Sequence, residues 1–555
     1  MKIAFCVILF VCLGVVSTVA LRGLLYRLQL EGYSRVCVLK YYKFLLVALW
    51  PTVIVSILFM TCVFAYGIAD YYILCSFLIV VISLQVLLIF KSFNKAKLVV
   101  TKRVVRIVGV SVFLHSAVFL LVCCFAVDWI LLIFGFCGVF LLPCFVYIAL
   151  VFLHPIEILI GRYYISNAKK ILSNNKGLVK IAITGSYGKT SVKEILSSIL
   201  SSQYSVLATP KSYNTPFGIT KTINGGLSNS HEIFVCEMGA KKLGEIRELC
   251  EIVSPDIGIV TAVGRQHVNT FGSIDNVFKT KKELPDYLFN KRCVFNLDNK
   301  YVKDMFDGYT GVKIGVYVVD KLANKLVSPI LKNVSTVFVY GARLFSKKFY
   351  MFPKGMCVYA RNIALSDEGS SFDVYVRGSK YGRVDTSLIG VHNITNILLS
   401  IAVAAILGES WNNILLGLGG VSSISARLER FVTSRGAIVL NNGYNSNLDS
   451  ASSSLSVLDL FDKKRKIVIT PGLVETGDDG TYNRKFGELV AKHATDVVIV
   501  KEKNRGYILL GLSNSCFDMS RVCYVNNFEE ARTLINNATN DDVVLIENDL
   551  PDNYK

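Results

Sequence analysis

The sequence predicts a multi-domain chain in which an N-terminal α-helical transmembrane segment is followed by two α/β domains. Three observations carry this prediction. The 555 residues are 52% hydrophobic and 18% charged, with a mean hydropathy of +0.48, whereas a soluble chain is roughly one quarter charged. The long uncharged runs lie almost entirely in residues 1–155. Residues 178–555 instead alternate short apolar runs, typical of buried strands, with amphipathic helical segments.

The N-terminal part, residues 1–155, is predicted to contain about five membrane-spanning helices. A hydrocarbon core takes roughly 20 apolar helical residues to cross. Runs of that length occur at about 3–21, 44–66, 71–90, 108–127 and 130–153. Lys and Arg cluster after the first, third and fifth runs, and basic loops favour the cytoplasmic side. Five spans therefore put the N-terminus outside the cell and the rest of the chain in the cytoplasm.

A phosphate-binding loop follows residues 156–177, which are predicted to form a linker helix near the membrane surface. Val179 to Ile183 is typical of a buried strand, and Val192 to Leu200 of a helix. The loop between them contains Gly185, Ser186, Tyr187, Gly188, Lys189, Thr190 and Ser191. In such a loop backbone N–H groups hold phosphate oxygens, the lysine neutralises β/γ charge and the threonine hydroxyl can bind Mg²⁺. The pattern predicts an ATP site, although Ile183 stands where a full Walker motif has glycine.

This loop and the motifs after it resemble the Mur ligases, the cytoplasmic enzymes that build the peptidoglycan stem peptide. The resemblance is greatest to the branch that adds D-alanyl-D-alanine. The matching segments are, in chain order, Thr184–Ser191, Thr209–Ile219, Glu237–Ala240, His267 with Phe271–Ser273, Lys279–Glu283, Gly390–Asn396, Arg427 and Asn441–Asn447. The resemblance implies a P-loop Mur ligase central domain at 178–420 and a Rossmann-like C-terminal domain at 421–555.

Two details of the domain plan follow from composition. Residues 310–390 are rich in short β-type runs such as Val337–Tyr340 and Phe372–Val376, which predict antiparallel hairpins. The run Gly417–Gly420 is predicted as the hinge between the two α/β domains. In the C-terminal domain, Ile467–Ile469, Val497–Val500 and Val543–Ile546 are predicted as buried strands.

The resemblance also implies a role for each matching residue. ATP would be bound by the loop residues 185–191 together with Asn393, Asn396, Arg427 and Asn442. Two Mg²⁺ ions would be held by Thr190, Glu237, His267 and Lys281. Lys281 would act as a carbamate, because carbamylation turns the cation into an anion that can ligand a metal. In the alternative register of the motif, the carbamylated lysine would be Lys282. Lys189, Lys281 and His267 would be the catalytic residues.

The implied reaction is ATP-dependent amide bond formation in peptidoglycan precursor synthesis. A muramoyl-peptide carboxylate would become an acyl phosphate, and the amine of D-alanyl-D-alanine would then displace phosphate. The expected partners are the membrane, the muramoyl-peptide precursor, D-alanyl-D-alanine or a similar amine, and other cell-wall enzymes. The sequence contains no basic stripe with interleaved aromatic residues, so nucleic-acid binding is not predicted. The expected location is the bacterial inner (plasma) membrane, multi-pass, with the ligase domains in the cytoplasm.

Two departures from the family pattern leave alternatives open. Soluble members have an N-terminal domain for the UDP end of the substrate, and here the membrane segment occupies that place, so the acceptor is alternatively a lipid-linked or other wall precursor. Asn442 replaces an aspartate that usually contacts the ribose, which leaves a catalytically decayed membrane scaffold as an alternative. A folylpolyglutamate synthase-like ligase shares the ATP loop and lysine chemistry, but Tyr213–Pro216 argues against it.

Overall fold

A computed structural model provides the fold. It describes residues 18–47, 98–125, 141–265, 268–318, 356–444, 446–474, 478–501 and 503–548, together with the single positions 49, 54 and 81. The chain divides into two compact units, Met1–Arg162 and Tyr163–Lys555, which are considered separately.

Most described residues of the first unit are helical. Helices cover residues 18–30 and 35–47, and helix α1 covers Lys102–Phe125. Helix α2 (Leu142–Asn174) begins in this unit. Both labelled helices are long and apolar enough to cross a membrane, by length and composition. They overlap the predicted spans at 108–127 and 130–153, whereas most of the runs at 3–21, 44–66 and 71–90 lies outside the described residues.

Helix α2 is continuous through Pro155, so the predicted linker helix is an extension of the last apolar helix. The boundary between the compact units falls after Arg162. The extension is held within the second unit because Ala168 and Leu172 are buried in its apolar core.

The central domain is built on a nine-stranded sheet in the order β2-β3-β1-β4-β5-β6-β7-β8-β9. Its strands are β1 (Val179–Thr184), β2 (Val206–Ala208), β3 (Ile233–Glu237), β4 (Ile257–Val260), β5 (Arg292–Asn296), β6 (Val312–Val318), β7 (Met356–Leu365), β8 (Ser370–Val376) and β9 (Ser379–Thr386). Neighbours from β2 to β7 pair in parallel. Apolar runs such as Ile233–Cys236 are buried on both faces, as parallel sheets require.

Helices cover both faces of this sheet. They are α3 (Lys189–Leu200), α4 (Pro216–Gly226), α5 (Glu245–Val253), α6 (Val268–Phe271), α7 (Ile274–Leu288), α8 (Lys300–Gly308), α9 (Val391–Ile406) and α10 (Trp411–Gly419). Helices α3 and α9 contribute to one apolar core and α5 and α7 to another. This arrangement places the loop after β1 in the middle of the sheet, between β3 and β4.

The prediction of antiparallel hairpins throughout 310–390 is only partly correct. Strand β6 pairs in parallel with both β5 and β7, and only β7, β8 and β9 form an antiparallel meander. A parallel pair needs a long crossover, and residues 319–355 separate β6 from β7. Val337–Tyr340 lies in that stretch, outside the described residues.

The C-terminal domain has a second sheet in the order β10-β11-β15-β12-β13-β14, parallel except for β10. Its strands are β10 (Glu429–Val432), β11 (Ile438–Asn442), β12 (Arg465–Thr470), β13 (Asp496–Val500), β14 (Val522–Val525) and β15 (Asp542–Glu547). The helices are α11 (Leu448–Val457), α12 (Asp479–His493), α13 (Arg505–Asn514) and α14 (Phe528–Asn537). The three buried strands predicted from apolar runs are all present.

The glycine run predicted as the hinge instead ends helix α10. A Cβ atom at Gly417 would lie 2.3 Å from the Cα atom of Ile199, so glycine allows α10 to pack directly on α3. The Ser198 hydroxyl also donates to the Gly417 carbonyl at 2.7 Å. The connection between the two sheets therefore follows the glycines, in residues 421–428.

Candidate active site

The phosphate-binding loop joins β1 to α3 at the carboxyl edge of the central sheet. Gly188 precedes the first turn of α3 with φ 81°, a left-handed conformation that favours glycine. A Cβ atom there would also lie 2.9 Å from Oδ1 of Asn396 on α9. The loop is thus fitted closely against α9, and the N-terminus of α3 faces the space above β1, as an anion site requires.

Side chains of the loop hold it in shape. The Ser186 hydroxyl donates to the Gly264 carbonyl at 3.1 Å and accepts from the Gly264 amide at 3.0 Å. Lys189 Nζ donates to the carbonyl oxygen of Gly185 at 2.8 Å. Burial lowers the pKa of Lys189; Glu237 opposes this shift, and Arg427 adds to it. The predicted phosphate lysine is therefore half-buried and folds back onto the phosphate-binding loop.

Glu237 lies beside this loop because β3 pairs with β1, with Ile183 opposite Glu237. The carboxylate is 2% exposed. Its Oε2 atom accepts from the Thr190 hydroxyl at 3.0 Å, and its Oε1 atom accepts from Asn214 Nδ2 at 3.1 Å. The two predicted ligands of the first metal are thus adjacent, and they offer hard oxygen atoms of the kind that Mg²⁺ prefers.

Lys193 is a buried cation in this cluster that the sequence analysis did not identify. Its side chain is 1% exposed, and Nζ lies 3.6 Å from Oε2 of Glu237. Nζ also donates to the carbonyl oxygen of Lys211. Lys193 follows Lys189 by one helical turn among apolar neighbours, and that position on the buried face of α3 was the available signal.

Lys281 of α7 is buried, with 3% of its surface exposed, and Nζ lies 5.9 Å from the centroid of the Phe271 ring. Burial, reinforced by the charge of Lys189, lowers the pKa of Lys281 to about 7. Lys282 instead forms an exposed ion pair with Asp286 at 2.5 Å. The geometry therefore favours Lys281 over the alternative register. His267, the other predicted ligand of the second metal, lies outside the described residues.

Two cavities adjoin at the loop and share Tyr187, Gly188, Arg427 and Tyr444. The first has a volume of about 390 Å³ and contains the loop, Glu237 and Lys281 in its wall. The second, of about 350 Å³, is lined by residues that include Ser191, Asp298, Asn393, Asn396 and Asn442. Every predicted site residue among those described thus lines one cavity or both. No cluster of three His, Cys, Asp or Glu side chains suited to a metal occurs within the described part of the chain.

The second cavity is formed by both α/β domains. Asn393 Nδ2 donates to the Ile389 carbonyl at 3.0 Å, and Asn396 Nδ2 donates to Asn393 Oδ1 at 3.4 Å. Helix α9 begins after Gly390 without a side-chain cap, so neither asparagine is its N-cap. The opposite wall carries Asn442, whose Nδ2 atom donates to Oε2 of Glu547 at 2.9 Å.

Asp298 is a second residue that the sequence analysis missed. It follows β5 in this cavity, and its oxygens accept from the Val318 amide at 3.1 Å and from the Thr395 hydroxyl at 3.3 Å. Burial raises the pKa of Asp298 to about 6. Ligand sites of open parallel sheets lie at the carboxyl ends of the strands, so its place directly after a buried strand was a usable signal.

Contacts between the central and C-terminal domains surround both cavities. Within the C-terminal domain, the Arg427 guanidinium stacks on the Tyr444 ring, with Cζ 4.0 Å from the centroid, and Nη1 donates to the Tyr444 carbonyl at 3.3 Å. The Tyr444 hydroxyl donates to Oγ of Ser212 at 3.1 Å. Arg265 of the central domain lies over the ring of Tyr482, with Cζ 5.2 Å from the centroid. The two domains are therefore closed on one another around the site.

Removing the Tyr444 hydroxyl should weaken this closed arrangement while leaving the ring under Arg427. We expect Y444F to lower kcat/KM for ATP by about fivefold, because one hydrogen bond contributes about 1 kcal/mol. The S212A variant should have the same effect, and the double variant should add nothing, as measured by initial rates of phosphate release. Additive losses in the double variant would contradict the interdomain role of this bond.

Comparison with known proteins agrees with this geometry. Residues 183–404 match the Mur ligase middle domain. The chain is 24% identical over 370 residues to the UDP-N-acetylmuramoyl-tripeptide--D-alanyl-D-alanine ligase of Bacillus subtilis (strain 168), covering 66% of this chain and 72% of that protein. It is 30% identical over 329 residues to the protein of the same name from Borreliella burgdorferi, covering 58% of this chain and 62% of that protein.

Among solved structures, the MurF ligase of Thermotoga maritima in complex with ADP superimposes with a TM-score of 0.57 at 20% identity. The alignment covers 70% of this chain and 80% of that structure, and at this identity it establishes the fold. The sequence match begins at β1 and ends within α9, so it contains the loop, Glu237 and Lys281. Residues 183–404 of the chain therefore correspond to a Mur ligase middle domain.

Proposed function

We propose that the chain is an ATP-dependent ligase of peptidoglycan precursor synthesis that joins D-alanyl-D-alanine to a muramoyl-peptide carboxylate. One observation carries the proposal: the loop lysine, Glu237 and Lys281 line a single cavity that is closed by Arg427 and Tyr444 of the C-terminal domain. The activity named for both curated relatives supports the choice of substrates.

The chemistry takes two steps. A carboxylate oxygen attacks the γ-phosphorus of ATP, and ADP leaves. The amine nitrogen then attacks the carbonyl carbon of the acyl phosphate, inorganic phosphate leaves, and the nitrogen loses a proton. Such transfers depend on positioning and on charge neutralisation. Lys189 and the N-terminus of α3 hold the phosphate oxygens, while domain closure through Arg427 and Tyr444 excludes water from the acyl phosphate.

Thr190 and Glu237 are the residues that would hold Mg²⁺. Their oxygens lie 3.0 Å apart at the first turn of α3, and Mg²⁺ is usually held by one or two protein oxygens together with nucleotide phosphates and water. When bound, the ion supplies neutralisation of phosphate charge. We propose that a second ion uses a carbamate on Lys281 and the imidazole of His267.

The burial of Lys281 supports its carbamylation. Carbon dioxide reacts with a neutral amine, and an ordinary lysine with a pKa near 10.4 is almost fully protonated at neutral pH. Because its pKa is lowered to about 7, Lys281 is neutral in a large fraction of molecules under those conditions. The resulting anion would face the loop lysine across the cavity and replace repulsion by attraction.

The pH dependence of this modification is a direct prediction. A carbamate carbon resonance should appear when the protein is equilibrated with ¹³C-bicarbonate, and its intensity should fall as the pH is lowered from about 8 to about 6, because the amine becomes protonated. The K281M variant should lack the resonance, whereas K282M should keep it. A resonance that survives in K281M would contradict the assignment.

We further propose that the ligase domains are cytoplasmic and are anchored by a multi-pass segment in the bacterial inner membrane. The apolar helices α1 and α2 support an anchor, and α2 continues directly into the second unit. An anchored ligase gives the second candidate function, the same amide-forming reaction on a lipid-linked precursor. A membrane location would also bring the domains near other cell-wall enzymes.

The test is acceptor profiling with the full chain. Purified protein with ATP, Mg²⁺, UDP-muramoyl-tripeptide and D-alanyl-D-alanine should release phosphate and form the pentapeptide product, detected by mass spectrometry. Turnover only with a lipid-linked acceptor would select the second candidate. Turnover only with a folate acceptor and glutamate would indicate the folylpolyglutamate synthase reaction. ATP binding without turnover on any acceptor would indicate a scaffold.

A further inference from the structure

A buried carboxylate lies directly behind the wall of the second cavity. Glu547 is the last residue of β15, which lies beside β11 with Glu547 opposite Asn442. The side chain is fully buried. Its Oε2 atom accepts from Asn442 Nδ2 at 2.9 Å and from the Ser454 hydroxyl at 2.6 Å. Asn442 and Ser454 line the cavity, whereas Glu547 does not.

This contact determines which way the Asn442 amide points. An amide nitrogen can only donate, and a carboxylate oxygen accepts, so Nδ2 must be the atom that faces Glu547. The amide oxygen of Asn442 is then directed away from Glu547 and is the atom available to the cavity. A carbonyl oxygen in that position can accept a hydrogen bond from a hydroxyl group of a ligand.

We propose that Glu547 is a positioning residue of the nucleotide site, which fixes the Asn442 amide so that Oδ1 accepts from a ribose hydroxyl. The inference rests on the proposed function, because it takes the second cavity as the nucleoside site. It also accounts for an asparagine at this position. An aspartate at 442 would place a second carboxylate within hydrogen-bonding distance of Glu547, and like charges so close in a buried site repel strongly.

The test compares binding of ADP with binding of 2′,3′-dideoxy-ADP, which lacks both ribose hydroxyls, by calorimetry on the full chain. The wild type should prefer ADP by about tenfold, the value of one hydrogen bond to a well-oriented acceptor. The E547L variant, which removes the acceptor for Nδ2, should lose most of this preference while its affinity for the dideoxy nucleotide stays the same. The E547Q variant keeps an acceptor oxygen and should retain the preference.

A charge exchange supplies a second test that does not depend on a buried leucine being tolerated. N442D should weaken ADP binding by about tenfold or more, because two carboxylates then face each other. The double variant N442D/E547Q should recover it, because the glutamine amide can donate to the new aspartate.

Unchanged ADP preference in E547L, or undiminished ADP binding in N442D, would overturn the positioning role. If the wild type binds ADP without preferring it over the dideoxy nucleotide, this inference fails and the proposed function stands. If the wild type binds neither nucleotide, the proposed function fails as well.

Discussion

Replacing Lys281 with alanine is expected to lower the rate of phosphate release by at least about a hundredfold, the loss typical of removing a charged group that stabilises a transition state. The substitution opens space in the wall of the cavity that contains Glu237 and the phosphate-binding loop. Formate or acetate can occupy that space and supply the missing anion. Added formate should therefore restore part of the rate in K281A while leaving the wild type unchanged.

Lys282 provides the matched control for this experiment. It is the next residue of the same helix, but it is exposed and paired with Asp286, so K282A should keep close to the wild-type rate. Thermal unfolding of both variants separates loss of chemistry from loss of fold. Full activity in K281A would remove the carbamate from the mechanism, and rescue of K282A by formate would move it to the neighbouring residue.

The second large effect is expected at Glu237, because its carboxylate faces the phosphate-binding loop and also pairs with the buried ammonium of Lys193. E237Q should reduce phosphate release by about a hundredfold or more, because a neutral amide neutralises less charge near the phosphates. It should also lower the free energy of unfolding by about 2 kcal/mol, since buried Lys193 loses its buried carboxylate partner and keeps only the half-exposed carboxylate of Glu194, 3.2 Å from Nζ.

The double variant K193M/E237Q separates these two consequences. Removing both charges of a buried pair is often neutral for stability, so the double variant should recover most of the lost unfolding free energy. Its activity should remain as low as that of E237Q. Recovery of activity together with stability would show that Glu237 acts only through the fold, and that outcome would contradict its role as a metal ligand.

Much of the site could be predicted because its residues follow strands in the order of known motifs. The loop at 184–191 and Glu237 each end a run of apolar residues, and parallel strands bring such ends to the same edge of the sheet. Lys281 and Lys282 are adjacent on one helix, so helical periodicity points them in different directions, and the structure buries Lys281 and exposes Lys282.

The residues that were missed depend on contacts between distant parts of the chain. Lys193 was not identified because a lysine after a phosphate-binding loop is ordinarily at the surface, whereas here its buried Nζ atom lies near the carboxylates of Glu194 and of Glu237 on strand β3. Glu547 was not identified because it is separated from Asn442 by 105 residues. The glycines at 417–420 were predicted as a hinge because glycine is typical both of flexible joints and of close helix packing, and the structure has Gly417 in a close contact between helices.

The direct packing of α10 on α3 has a mechanical consequence. Helix α3 starts at the phosphate-binding loop, and near its other end it is fastened to Gly417, just before the connection to the C-terminal domain. Helix α3 therefore fixes the position of the connection to the C-terminal domain relative to the phosphate-binding loop. Arg427 lies eight residues beyond the end of α10, close to this connection. Under the proposed function, a small rotation of the C-terminal domain about this connection would move the Arg427 guanidinium away from the two cavities and release ADP, while the phosphate-binding loop stays in place.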